Sequence, residues 1–283
     1  MAMEIYSLPQ LRDPIMIAAF QGWNDAGEAA SKALEHLMSL WPSQLIGEVE
    51  SEEFYDYQVN RPQIFLDEEG ERELSWPTTT VHSISVPNFS RDLLIVTGVE
   101  PSMKWRTFVG ELLSLGEDLN ISIVVSLGSL LADVPHTRPI PVTLSAANSA
   151  LAKKFEVEMS RYEGPTGILG ALQDGCNARD IDAVSLWAAI PHYVSTPPCP
   201  KATLALLNHL EDLLDINIPE GELPDDARAW ELGATQITEE DSEISEYVQA
   251  LEESKDATEL PEASGESIAR EFERYLRHRG EEK

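Results

Sequence analysis

The residues of this 283-residue sequence with the means for chemistry fall into five short stretches, each beside a glycine or proline turn. In "FQGWNDAGEAA" (Phe20 to Ala30), Asn24 and Asp25 stand between Gly22 and Gly27 at the G-x-x-x-x-G spacing of a phosphate loop. Glu28 and Ala29 occupy the places where such a loop has Lys and Ser or Thr, so the cation that grips the phosphates is missing. The G-x-G-x-x-G pattern of a dinucleotide loop is missing too. Two readings remain. Asn24 or Asp25 caps the following helix by accepting its free N–H groups, or the carboxylate sits at the C-terminal end of a strand, where open α/β sheets bind ligands.

"TGVEPSMKW" (Thr97 to Trp105) offers Glu100 and Lys104, either a catalytic acid with a neighbouring ammonium or a surface pair and a capping carboxylate. "SLGSLLADVPHTRP" holds Ser126, Ser129, Asp133, His136 and Arg138 in one stretch, which invites a Ser/His/Asp reading without supplying the G-x-S-x-G elbow. "EGPTG" places Thr166 and Gly167 ahead of a helix whose backbone N–H groups could hold an anion; a plain glycine-rich helix entry is the alternative. His192 in "IPHYV" is a base or a hydrogen-bonded structural histidine. The catalytic candidates are thus Asn24, Asp25, Glu100, Lys104 and His136, and the ligand-binding candidates Gly22, Ser129, Thr166, Gly167 and His192.

The other chemistry-bearing residues exclude more than they suggest. His36, His82, His136, His192, His209 and His278 form no H-E-x-x-H or similar pattern, and Cys176 and Cys199 have no ligand spacing, so neither metal nor cofactor is expected. With 50 acids against 20 Lys and Arg, the formal net charge is −30. That field repels phosphate backbones and anionic headgroups, which removes nucleic acid and membrane surfaces as partners and favours proteins presenting basic patches. No apolar run reaches the roughly 18 residues of a membrane span. "MAMEIYSLPQLRD" lacks a basic head before an apolar core, so a cytoplasmic, reduced protein is expected.

The elements that must position these residues follow from periodicity. "PIMIAAF", "QLIGEVE", "TTTVHSISVP", "DLLIVTG", "ISIVVSLG" and "IDAVSLWAAIP" read as strands. Helical spacing relates Ala26, Ala29, Ala30, Ala33, Leu34, Leu37, Met38 and Trp41, and then Trp105, Phe108, Leu112 and Leu115. "NSALAKKFEVEM", the segment after "EGPTG", and "PKATLALLNHLEDLL" are further helices, the last with Pro200 suited to its first turn. "FYDYQVNRPQIFLDEEGER" is an irregular or hairpin insertion, and the prolines of "SLLADVPHTRPIPVT" require an ordered loop running into an extended segment. Strand and helix alternate, which specifies an α/β fold with a mostly parallel sheet covered on both faces. From about Gly221 β-branched residues thin out and acids crowd in, predicting two domains: 1–220, α/β, and 221–283, a small acidic helical extension. Within that extension "EESKDATELPEASGES" is expected to be a hinge, and Ile268, Phe272 and Tyr275 continue the helical spacing.

"GWNDAG", "VTGVEPSMKWRTF", "SLGSLLADVPHTRPIPV", "GPTGILGAL" and "SLWAAIPHYVSTPPCPKATLALL", in order over Ile15 to Leu214, resemble the PAC2 family of proteasome assembly chaperone 2-like proteins. The resemblance implies a phosphorylase/hydrolase-like α/β sandwich, a homo-oligomer with a trimer among the states considered, a helical C-terminal addition and a proteasome-related or other protein partner. Some relatives dock through a C-terminal hydrophobic-Tyr-X tail; "RHRGEEK" does not have that pattern, so docking by that route is not expected. Two functions of different class follow. One is a non-enzymatic assembly or binding protein with Asn24, Asp25 and Glu100 tied up in caps and internal bonds. The other is a small-molecule hydrolase or phosphorylase with Asp25 or Glu100 as base and the Thr166 loop holding an anion.

Overall fold

The computed structural model describes residues 3–67, 69–146, 148–155, 157, 159 and 162–259. In chain order the elements are β1 (Met3–Ile5), β2 (Ile15–Gln21), α1 (Ala29–Leu40), β3 (Ser43–Val49), α2 (Ser51–Phe54), β4 (Gln63–Leu66), β5 (Arg72–Ser75), β6 (Thr79–Ser85) and β7 (Asp92–Val99). There follow α3 (Trp105–Asp118), β8 (Ile123–Ala132), β9 (Val142–Ala146), α4 (Ser149–Lys154), α5 (Ile168–Ala178), β10 (Ala183–Pro191), α6 (Pro200–Leu214), α7 (Leu223–Glu239) and α8 (Ser242–Glu259). The fold is α/β, as the alternation of elements requires.

Eight strands form one sheet in the order β1-β3-β6-β7-β2-β8-β10-β9. Its centre is parallel: Ile17 of β2 stands opposite Ile95 of β7 and Val125 of β8. The flank made by β1, β3, β6 and β7 is antiparallel, with a bulge in β3 between Leu45 and Gly47. β2 reads as an unbroken apolar run because it is buried on both faces.

The chain makes two compact units: Met1–Ala26, Ala30–Gly128 and Thr143–Trp187 in the first, and Gly27–Ala29, Ser129–Val142 and Ala188–Lys283 in the second. In the first, Phe20, Phe54 and Phe108 meet edge-on with ring centroids 5.7 and 5.4 Å apart, on a core continued by Leu112 and Leu113 of α3 and Ile168, Leu169 and Leu172 of α5. In the second, α6 buries Leu206, Leu207 and Leu210 and packs on α7, which in turn packs on α8.

Three local outcomes differ from the periodicity reading. β8 runs to Ala132, past the expected end at Gly128, because the first residue that forbids a strand, Pro135, comes later. α4 stops at Lys154; Asn148 Oδ1 caps its start by accepting from Ala150 N and Leu151 N at 3.1 and 3.0 Å. The first half of the expected hinge "EESKDATELPEASGES" is helical, since α8 continues to Glu259. The rest of that stretch, with Ile268, Phe272 and Tyr275, lies outside the described residues. The insertion between β3 and β6 contains α2 and the β4–β5 hairpin, which forms a separate two-stranded sheet.

Candidate functional site

β2 and β7 run side by side and in the same direction, so their C-terminal ends bring two distant stretches of sequence together. Gly22 and Asn24 follow β2; Glu100 follows β7 and donates its backbone N–H to Gln21 O at 2.9 Å. Glu100 Oε1 accepts from Asn24 Nδ2 at 2.8 Å and from the Ile168 backbone N–H at 2.8 Å. Ile168 is the first residue of α5, so Glu100 caps that helix from another part of the chain and places a negative charge at the positive end of its dipole. Gly167 makes the approach possible, because a Cβ there would lie 2.2 Å from Asn24 Nδ2. The first turn of α5, where a bound anion would sit, is therefore filled by the chain's own carboxylate. Thr166 is exposed, and its hydroxyl reaches Gly167 O at 3.5 Å.

Asp25, buried beside this group, caps α1. Its Oδ1 accepts from Ala30 N at 2.8 Å and Ser31 N at 3.2 Å, satisfying two N–H groups that have no intrahelical partner. Lys104 is not brought to Glu100. Its ammonium pairs with Glu53, and its backbone is left-handed (φ 55°) just before α3.

Next to the Asn24–Glu100 pair lies a cleft of about 990 Å³. Gly22, Gly98, Val99 and Glu100 line it, together with the apolar side chains of Trp23, Val59, Trp76, Met103 and Trp105. Trp23 is 63% exposed and Trp76 46%, large apolar faces left to solvent. Trp76 leans on Tyr57 with ring centroids 4.7 Å apart. Asn60 Nδ2 donates to Ser102 Oγ at 3.0 Å and holds the segment that carries Met103. The hairpin rises from the rim, where Gln63 and Ser75 line the cleft; Ile64 stands opposite Leu74, and both are exposed.

Ser129, His136 and His192 belong to the second unit, which contains a different kind of polar group. His136 is buried, 1% exposed. Its backbone N–H donates to the Tyr193 hydroxyl at 2.8 Å, and that hydroxyl meets His136 Nδ1 at 2.9 Å. His136 Nε2 meets Thr235 Oγ1 at 3.1 Å, and Thr235 donates onward to Glu231 O at 2.9 Å. One assignment satisfies every group: Tyr193 donates to Nδ1 and a neutral ring donates from Nε2. Burial, with the nearby Lys201 charge, holds the histidine below its ordinary pKa, and burial pushes the Tyr193 hydroxyl up to about 12. Asp133 is spent on the exposed His192, 3.3 Å away, and on the Tyr247 hydroxyl at 2.9 Å. With both ring nitrogens of His136 bound to Tyr193 and Thr235, the Ser/His/Asp arrangement is not assembled. Ser129 is buried.

Both cysteines are buried free thiols, pushed up by burial to about 12 for Cys176 and about 11 for Cys199, which makes them poor nucleophiles. Among the described residues, no group of three or more His, Cys, Asp or Glu is placed to hold a metal ion, and no helix is long and apolar enough to cross a membrane.

Sequence reasoning found Gly22 and Glu100 but missed Trp23, Trp76, Trp105 and Arg61 of the cleft. A signal was present: three of the six tryptophans stand beside turn residues, in "GWND", "SWPT" and "PSMKW".

The model of the PAC2 family matches residues 19–238. The chain is similar to a PAC2 family protein of Streptomyces avermitilis, at 53% identity with a TM-score of 0.78, over 83% of this chain and 100% of that one. It is also similar to a proteasome-assembly chaperone homologue of Mycobacterium tuberculosis, at 50% identity and TM-score 0.76, over 83% of this chain and 99% of the other. An archaeal proteasome activator from Pyrococcus furiosus shares the fold at 19% identity, with a TM-score of 0.66 over 83% of this chain and 97% of that one. No functionally curated protein matches.

Proposed function

The chain belongs to the PAC2 family, and on that premise we propose that it is a non-enzymatic binding and assembly protein of the cytoplasm whose partner is a proteasome subunit. The observation that carries this reading is the state of the strand-end carboxylates. Asp25 and Glu100 each spend an oxygen on two internal N–H donors, whereas the surface beside them is a cleft walled by exposed tryptophans. A hydrolase or phosphorylase needs an unfilled anion pocket, and the first turn of α5 is already occupied by the Glu100 carboxylate. Aromatic residues left to solvent around a concave surface suit protein recognition instead. In this reading the protein works as a homo-oligomer through its α/β domain, residues 1–220, with 221–283 as an acidic appendage.

Sedimentation velocity of the purified full chain, alone and mixed with purified proteasome α-subunits, tests the proposal. A homo-oligomer alone and a mixed complex with a changed rate of α-ring formation are expected. Absence of any mixed species, or turnover in a screen of small-molecule esters and nucleosides, would overturn it.

A further inference from the structure

We infer that the cleft at the ends of β2 and β7 is a receptor for an arginine or lysine side chain on an extended basic segment of the partner, with Glu100 as counter-charge and tryptophan rings as walls. The inference rests on the binding-protein reading and specifies its chemistry. Glu100 is half-buried and lines the cleft, and its Oε1 is held by two neutral donors. Among the described residues no Lys, Arg or His pairs with it. The two N–H donors are neutral and supply no counter-charge, and Oε2 takes part in neither bond. Gly22, with φ +123°, lies against this group: a Cβ built there would stand 3.5 Å from Glu100 Cβ and 3.8 Å from Oε2, in van der Waals contact, so only glycine leaves that space free.

The walls suit the same ligand. Arginine stacks flat on indole faces, and both cations are drawn to the negative face of the ring. Low-dielectric aromatic walls also strengthen the pull of a single carboxylate. Among the described residues Arg61 is the only cationic group of the lining, and it is exposed, so a carboxylate-bearing ligand has one attraction available. Such a ligand would also have to approach Glu100 and Asp56 against the field of a chain with net charge −30. A second copy of the chain, with the same charge, meets the same field. A basic segment is steered in by all of these charges.

The test uses the full chain and a capped glycine-serine peptide carrying two arginines, read by calorimetry and by tryptophan fluorescence. The control peptide has citrulline at the same positions, equal in shape but neutral. Glu100→Gln keeps an oxygen to accept from Asn24 and Ile168 and removes only the charge, and a thermal melt checks that the fold is retained. Saturable binding of the arginine peptide is expected, weakened about tenfold or more by citrulline or by Glu100→Gln, and weakened by Trp23→Ala at the exposed rim. No binding, equal binding of the two peptides, unchanged affinity in Glu100→Gln, or preference for a glutamate-bearing peptide would overturn it. If the peptide fails to bind while α-subunits still form a complex with the chain, this inference falls and the assembly reading stands; the reverse result sinks the assembly reading alone.

Discussion

Glu100 and His136 are each the centre of a polar group that a sequence reader would suspect of catalysis, and they differ in how completely they are used. His136 is closed: backbone N–H, Nδ1 and Nε2 all have partners, and the chain of donors ends on a helix carbonyl. Glu100 is half open, with one oxygen bound twice inside and the group lining a cleft. A closed network holds helices and specifies their placement. An open one still has interaction energy for something outside. The difference, more than residue type, separates a structural polar group from a binding one.

The comparison can be broken or sharpened by substitution, beginning with the largest effect. Gly98→Ala puts a Cβ 2.1 Å from Thr78 O and 2.6 Å from Thr79 Cα, backbone atoms that have little room to move. We expect a loss of about 3 kcal/mol or more in urea unfolding, with the lining of the cleft distorted. His136→Ala opens a cavity and removes two side-chain bonds, which should cost about 2–3 kcal/mol while leaving arginine-peptide affinity unchanged. A matching loss of peptide affinity would erase the distinction between the two groups. Glu100→Ala should cost about 2 kcal/mol, because Asn24 and the start of α5 lose their acceptor, whereas Glu100→Gln should cost less than about 0.5 kcal/mol. Equal destabilisation by the two variants would mean that the charge itself, rather than the acceptor oxygen, holds the fold. Asp25→Ala should remove about 1 kcal/mol by uncapping α1, with no change in peptide binding.

The smallest effect is a pH dependence. Burial lowers the pKa of both His136 and His82 from the ordinary 6.5. The unfolded chain therefore binds more protons below that value, so stability is fully present above about pH 6.5 and declines as pH falls through the folded values. Thermal melts from pH 8 to 5 should show that decline, and His136→Ala should reduce it. A flat profile in the parent chain would show that these two histidines do not titrate with unfolding. Burial alone would raise the Asp92 carboxyl, but its bonds to Arg12 and Ser85 prevail and lower it, so its share of stability is lost only at still lower pH, below the ordinary carboxylate value of 3.8.

Much of this was legible in the chain because its causes are local. A buried parallel strand must be apolar throughout, so "PIMIAAF" and "DLLIVTG" were readable as the sheet's centre. A helix start needs acceptors for its free N–H groups, so "WND" before an alanine-rich helical run identified Asp25 as a capping candidate. The β4–β5 hairpin was legible only as one of two alternatives, an irregular or a hairpin insertion, since its alternation is short and its apolar residues are exposed. The Ser/His/Asp grouping in "SLGSLLADVPHTRP" was misleading for the opposite reason: proximity in sequence says nothing about which way a side chain points once β8 and the following loop are set.

What sequence determined by itself was the α/β class, the kinship with PAC2 proteins, the acidic field and the missing phosphate-loop lysine, all properties of residue type and order. Tertiary structure alone decided that Glu100 would cap α5 and line a cleft with Trp23, Trp76 and Trp105. Trp23 and Trp76 are far from Glu100 along the chain and meet it because β2 and β6 both flank β7 in one sheet. Whether a carboxylate is satisfied depends on every donor and acceptor within hydrogen-bond reach, and no local pattern encodes that set.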